Sequence, residues 1–231
     1  MPFPNASAIA FHRKRDAFSA AIGKLWRDEE ASIMDRKKRV LVLYGSYREP
    51  RFGIRLARYA TSRLVARQFD AALIDARDIG LPMLGRMYKE YPPGTAPKAM
   101  EDLAEKIRSA DGFVFICGEY NWGIQPGLKN LTDHYLEEWF WRPAAIASYS
   151  LQRTGGSRAN YSWHGILNEM GMVVVSSSIT IGPVTEALDE DGNPIGASGE
   201  YLDHRFPRFV DDLNWWMEAA AAQRLRANPP Y

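Results

Sequence analysis

The chain has 231 residues, 46% of them hydrophobic, and a formal net charge of +1. That is enough apolar material for one sizeable core and too much for wholesale disorder, and the near-zero charge gives no whole-chain field to draw in nucleic acid or an acidic membrane. The single cysteine, Cys117, excludes an internal disulfide, a four-cysteine zinc site and a redox cysteine pair, and fits a reducing, cytoplasmic setting.

In chain order, residues 1–36 stand apart as an expected N-terminal extension, partly helical, with Phe18, Ile22, Leu25 and Trp26 at helical spacing. They carry no basic-then-apolar order and no long apolar run, so neither a secretory signal nor a membrane span is expected. Their basic clusters "HRKR" and "DRKKR" sit beside acids and read as a solvated helix face. From residue 37 to 231 strands and helices alternate. "RVLVLYG", "DAALIDAR", "GFVFICGEY", "AAIASYS" and "MVVVSSSITI" are strand-like; "GIRLARYATSRLVARQF", "APKAMEDLAEKIRSA", "PGLKNLTDHYLEEWF" and "SRANYSWHGILNEMG" are helical. "VTEALDEDGNPIGASGEYLDH" reads as a polar surface connection, and "FPRFVDDLNWWMEAAAAQRLRA" as a last helix. This alternation predicts an α/β fold: a doubly wound parallel sheet of five strands with helices on both faces. The flavodoxin-like order 2-1-3-4-5 suits it, with ligands beyond the carboxyl ends of the strands.

The loops leaving strands one, three and four should therefore carry function. In "GSYREPRFG", Ser46, Arg48 and Arg51 precede a helix start and suit a single phosphate. An ordinary capped turn has the same composition. Neither a triphosphate-binding Gly-Lys-Ser/Thr nor a G-x-G-x-x-G fingerprint is present. In "GEYNWGIQPGLKN", Gly118 and Gly123 bracket four residues that suit a flat ligand, or equally a subunit seam.

Taken together, "GSYREPRFG", "EYNWGIQPGLKN…DHYLEEW" and "IASYSLQRTGGSRA" resemble the NAD(P)H-dependent FMN reductase family, in its flavodoxin-like quinone reductase branch. The resemblance implies an FMN-dependent NAD(P)H:acceptor oxidoreductase that reduces quinones, free flavin or similar small molecules by ping-pong hydride transfer. It further implies NADPH or NADH as donor and a homodimer or homotetramer. It sets Ser46, Arg48, Arg51, Phe52 and Gly53 around the FMN phosphate, with Glu119, Tyr120, Asn121, Trp122 and Gly123 flanking the isoalloxazine. Tyr149, Gly155 and Gly156 would close its pyrimidine edge. Gly118 and Ser150 depart from the family's usual Pro and Gly, and the third loop is longer by about two residues.

With the flavin carrying the chemistry, no catalytic side chain is required. Arg153 and Arg158 are candidates to steady negative charge at the pyrimidine end. Cys117 reads as a buried structural thiol. His12, His134, His164 and His204 lack metal-ligand spacing, so no metal is expected. The Trp215–Trp216 pair in the last helix reads as packing. The alternatives are a flavin-binding electron carrier or redox sensor, and a phosphate-ester hydrolase on the same frame. No G-x-S-x-G elbow supports a serine hydrolase.

Overall fold

The computed structural model describes residues 36–231, so the expected helix around Phe18–Trp26 lies outside the described residues. The chain divides into two compact units, residues 37–220 with Tyr231, and residues 1–36 with 221–230.

The larger unit is built on strands β1 (Arg39–Tyr44), β2 (Asp70–Asp75), β3 (Gly112–Tyr120), β4 (Gly123–Ile124), β5 (Pro143–Tyr149), β6 (Val173–Val174) and β7 (Ile179–Ile181). Its helices are α1 (Ile54–Ala66), α2 (Ala76–Ile79), α3 (Lys98–Ser109), α4 (Pro126–Asp133), α5 (Ser157–Glu169), α6 (Val184–Ala187) and α7 (Gly196–Arg226), the last running on past the unit's boundary. The main strands are parallel in the order β2-β1-β3-β5-β6, with β7 continuing the edge beside β5. β1 is an inner strand: Val42 lies opposite Leu73 on one side and Val114 on the other.

Side chains along a strand point alternately to opposite faces, and both faces here are apolar. Val40, Val42, Val114 and Ile116 join Leu56 and Tyr59 of α1 and Leu202, Phe206 and Phe209 of α7 in one core. Leu41, Leu43, Phe113 and Phe115 join Leu103 of α3, Leu131 of α4 and Trp163 of α5 in the other. The doubly wound architecture matches the sequence pattern, and three details correct it. Seven strands replace five. β4 adds an antiparallel hairpin to the end of β3, Glu119 facing Ile124 and Tyr120 facing Gly123. The fifth strand is broken because Asp212 draws off Ser176 Oγ (3.2 Å) and Ser177 N–H (2.8 Å), taking that stretch out of the ladder. The last helix also begins at Gly196, inside the expected surface connection. Gly199 suggested a loop, yet its missing side chain lets the helix start pack on Ala187, whose carbonyl oxygen a Cβ would meet at 2.5 Å.

Candidate active site

At the carboxyl rim of the sheet three loops meet around a cleft of about 360 Å³. The first runs from the end of β1 to α1. Ser46, only 3% exposed, has its hydroxyl 2.9 Å from Tyr120 Oη, tying this loop to the end of β3. Arg48 reaches the cleft and has no carboxylate partner among the described residues. The backbone N–H groups of Tyr47, Arg48 and Glu49 are likewise without acceptors among the described residues. Unpaired amides, a hydroxyl and a free guanidinium on one turn form a seat for a phosphate-sized anion.

Arg51 turns the other way. Its Nε donates to the Ser46 carbonyl (2.6 Å), its Nη2 to Asp75 Oδ1 (2.6 Å), and its guanidinium lies 4.9 Å over the Tyr44 ring. It braces the loop from behind, between β1 and β2, and does not line the cleft. Phe52 and Pro50 do line it. Gly53 lies beneath, where any Cβ would overlap the Tyr149 ring.

Tyr149 ends β5 and fills the floor between the first two loops. A Cβ at Gly118 would meet its Oη at 2.7 Å, so the glycine in place of the family's usual proline leaves room for this phenol. Gln125 Nε2 donates to Tyr149 Oη at 3.1 Å. Burial, followed by the neighbouring Tyr44, pushes the Tyr149 phenol well above its ordinary value, so it stays protonated through the neutral range. Burial also pushes the Cys117 thiol well up, which leaves it inert.

The second loop is a two-residue hairpin turn. Asn121 (φ 49°) and Trp122 (φ 71°) both take positive φ, as tight hairpins require. A tryptophan there is strained. The Arg158 guanidinium lies 4.7 Å over its ring while pairing with Glu119, whose side chain is 7% exposed. Arg158 N–H also donates to Glu119 Oε2 at 3.3 Å. The charge of Arg158 is therefore already balanced. Arg153 is exposed and does not line the cleft.

The third loop, after β5, supplies Ser150, Leu151, Gln152 and Thr154. Gly155 and Gly156 turn it into α5 with φ of 58° and 80°. Of the residues singled out in the sequence, Ser46, Arg48, Phe52, Gly118, Glu119, Tyr120, Tyr149, Ser150 and Arg158 line the cleft. Asn121, Trp122, Gly123, Gly155 and Gly156 shape its loops without lining it. Pro50, Leu151, Gln152 and Thr154 were missed; the longer third loop was the only signal for the last three.

The arrangement fits FMN. The anion seat lies at one end, the flat floor of Tyr149 and Gly118 in the middle, and the polar third loop at the other. Among the described residues no cluster of His, Cys, Asp and Glu suits a metal ion, and no helix is long and apolar enough to cross a membrane.

The sequence profile described as NADPH-dependent FMN reductase matches residues 38–186. An NAD(P)H-dependent FMN reductase from Nectria sp is 32% identical over 133 residues, covering 53% of this chain and 63% of that protein, just under two thirds of its length. A quinone reductase from Escherichia coli is 32% identical over 157 residues, covering 66% of this chain and 81% of the relative. Among solved structures, a flavoenzyme NAD(P)H:(acceptor) oxidoreductase from Paracoccus denitrificans superposes with a TM-score of 0.63 at 23% identity, over 77% of this chain and 97% of that one. This last likeness is one of fold.

Proposed function

The chain belongs to the NADPH-dependent FMN reductase family, and from that premise we propose that it turns over as an FMN-dependent NAD(P)H:acceptor oxidoreductase, reducing quinones, free flavin or similar small molecules. Bound FMN supplies the two-electron chemistry. The protein's task is to hold it, shield one side and leave the other open.

The observation that carries this reading is the anion seat on the β1–α1 turn. Ser46 Oγ, the free Arg48 guanidinium and the unpaired amides of residues 47–49 are the donors a phosphate monoester takes. From that anchor the ring system would extend past Tyr120 and Gly118 to the third loop. The protonated Tyr149 phenol would lie beneath it, and the Glu119–Arg158 pair would fix the hairpin at its edge. No side chain in the cleft is needed as nucleophile or base.

Donor and acceptor would share the cleft and bind in turn, giving ping-pong kinetics. Pairing into a homodimer or homotetramer is supported by Trp122 and Leu151, 68% and 50% exposed at the cleft's edge. The lone buried thiol suits a reducing cytoplasm.

The test is anaerobic stopped-flow mixing of FMN-loaded protein with NADPH and, separately, NADH. Rapid bleaching of the flavin band, with parallel double-reciprocal lines in quinone turnover, is the expected result. A band that persists for minutes would favour an electron carrier, and a protein that refuses FMN would end the reading.

A further inference from the structure

Away from the flavin cleft, two adjoining hollows of about 230 and 400 Å³ form one groove between the edge strand and α7, sharing Ser178, Tyr201 and Arg205. His204, Arg208, Ser177 and Thr180 add to its polar lining, and no carboxylate lines either hollow.

Three acids on neighbouring turns of α7 hold other groups, Asp212 doing so at the wall of the groove, where Ser177 lies. Asp203 pairs with Arg63 and accepts from Tyr59, Asp211 pairs with Arg67, and Asp212 accepts from Ser176 and Ser177. Glu200 stands one turn before His204 and lines neither hollow. Arg208 and His204 have no partner among the described residues, nor do the hydroxyls of Ser177 and Ser178. Arg205 is held in place by donating to Tyr201 Oη at 2.7 Å. In a chain of net charge +1, two guanidiniums and two hydroxyls face one groove that no carboxylate lines. Guanidiniums and hydroxyls so placed match the acceptor oxygens of a phosphate. The space exceeds what a bare phosphate fills, and the half-exposed Tyr201 ring offers a flat apolar face beside it.

We infer that this groove binds the phosphate monoester of a nucleoside, with Arg205 and Arg208 on the phosphate and Tyr201 against the base or sugar. Two sources of that chemistry exist. One is a free nucleotide. The other is the 2′-phosphate of NADPH, because one loop separates groove from cleft: Thr180 lines the groove and lies 2.7 Å from where a Gly155 Cβ would sit, while Thr154 lines the cleft. Only this second source rests on the proposed function; phosphate binding itself does not.

The experiment titrates adenosine 2′-monophosphate into the full FMN-treated chain by calorimetry, comparing wild type with the double variant Arg205→Gln/Arg208→Gln. Adenosine is the control and the visible spectrum checks flavin loading. The expected result is saturable binding in the wild type, weakened at least about tenfold in the variant as charge-assisted hydrogen bonds are lost, with adenosine inactive and the spectrum unchanged. A matching fall in the NADPH-to-NADH ratio of kcat/KM assigns the phosphate to the donor; an unchanged ratio assigns it to a free nucleotide. No saturable binding by the wild type, or equal binding by the variant, overturns the site. A chain that takes no FMN yet binds the nucleotide would sink the flavin reading and leave the groove standing.

Discussion

Arg48 and Arg51 lie three positions apart in one loop and do different work. Arg51 is consumed by Asp75 and the Ser46 carbonyl, while Arg48 is left for a ligand. Removing Arg48 should therefore weaken FMN without weakening the fold. Arg48→Gln is expected to raise the FMN dissociation constant about 10- to 100-fold, the size of one charge-assisted hydrogen bond, with the melting temperature of the FMN-free protein unchanged; fluorescence titration reads the first and a thermal melt the second. Arg51→Gln should instead lower that melting temperature, because it leaves the nearly buried Asp75 unpaired. Tyr149 makes a pH prediction. Burial raises its value above the ordinary 10.0, so the folded chain binds that proton more tightly than the unfolded one. The stability it contributes is complete below about pH 10 and is lost as pH rises through the folded value. Melting curves from about pH 8 to 11 should show a shallower alkaline decline in Tyr149→Phe than in the wild type; equal declines would refute this.

Among the elements, the turn into α5 is the most exacting. Gly156 has φ of 80° and sits where a Cβ would come within 2.6 Å of the Tyr149 carbonyl oxygen. Gly156→Ala is expected to cost about 1–3 kcal/mol of unfolding free energy in urea titrations and to loosen FMN as the third loop shifts. A neutral result would mean the turn is not under this constraint. These elements were legible in the sequence to different degrees. The strands were, because a strand buried on both faces leaves a continuous apolar run, as in "RVLVL" and "GFVFIC". The early start of α7 was not, because Gly196, Gly199 and Pro207 hid a face that Leu202, Phe206, Phe209 and Leu213 continue unbroken. Nor was the direction of Arg51, since that depends on Asp75 arriving from the next strand. Spacing marked Ser46 and the "EYNW" turn, whereas the cleft walls at Pro50, Gln152 and Thr154 exist only once the loops have met.

At the scale of the molecule, the parallel sheet sets the function's place. Strands β1, β3 and β5 deliver their following loops to one rim, and two apolar layers of helices fix those strands against each other. A cofactor held at such a rim sees backbone amides and loop side chains, with the cores out of reach. The inferred phosphate groove lies elsewhere, between the edge strand β7 and α7. The account's central claim is that three loops distant in sequence grip one FMN through the seat at Ser46 and Arg48. A crystal structure of the protein grown with FMN tests it most directly. The account predicts the phosphate against Ser46, Arg48 and the amides of residues 47–49, with the ring system over Tyr149 and beside Tyr120. A flavin bound elsewhere, or a rim that stays empty at saturating FMN, would contradict it.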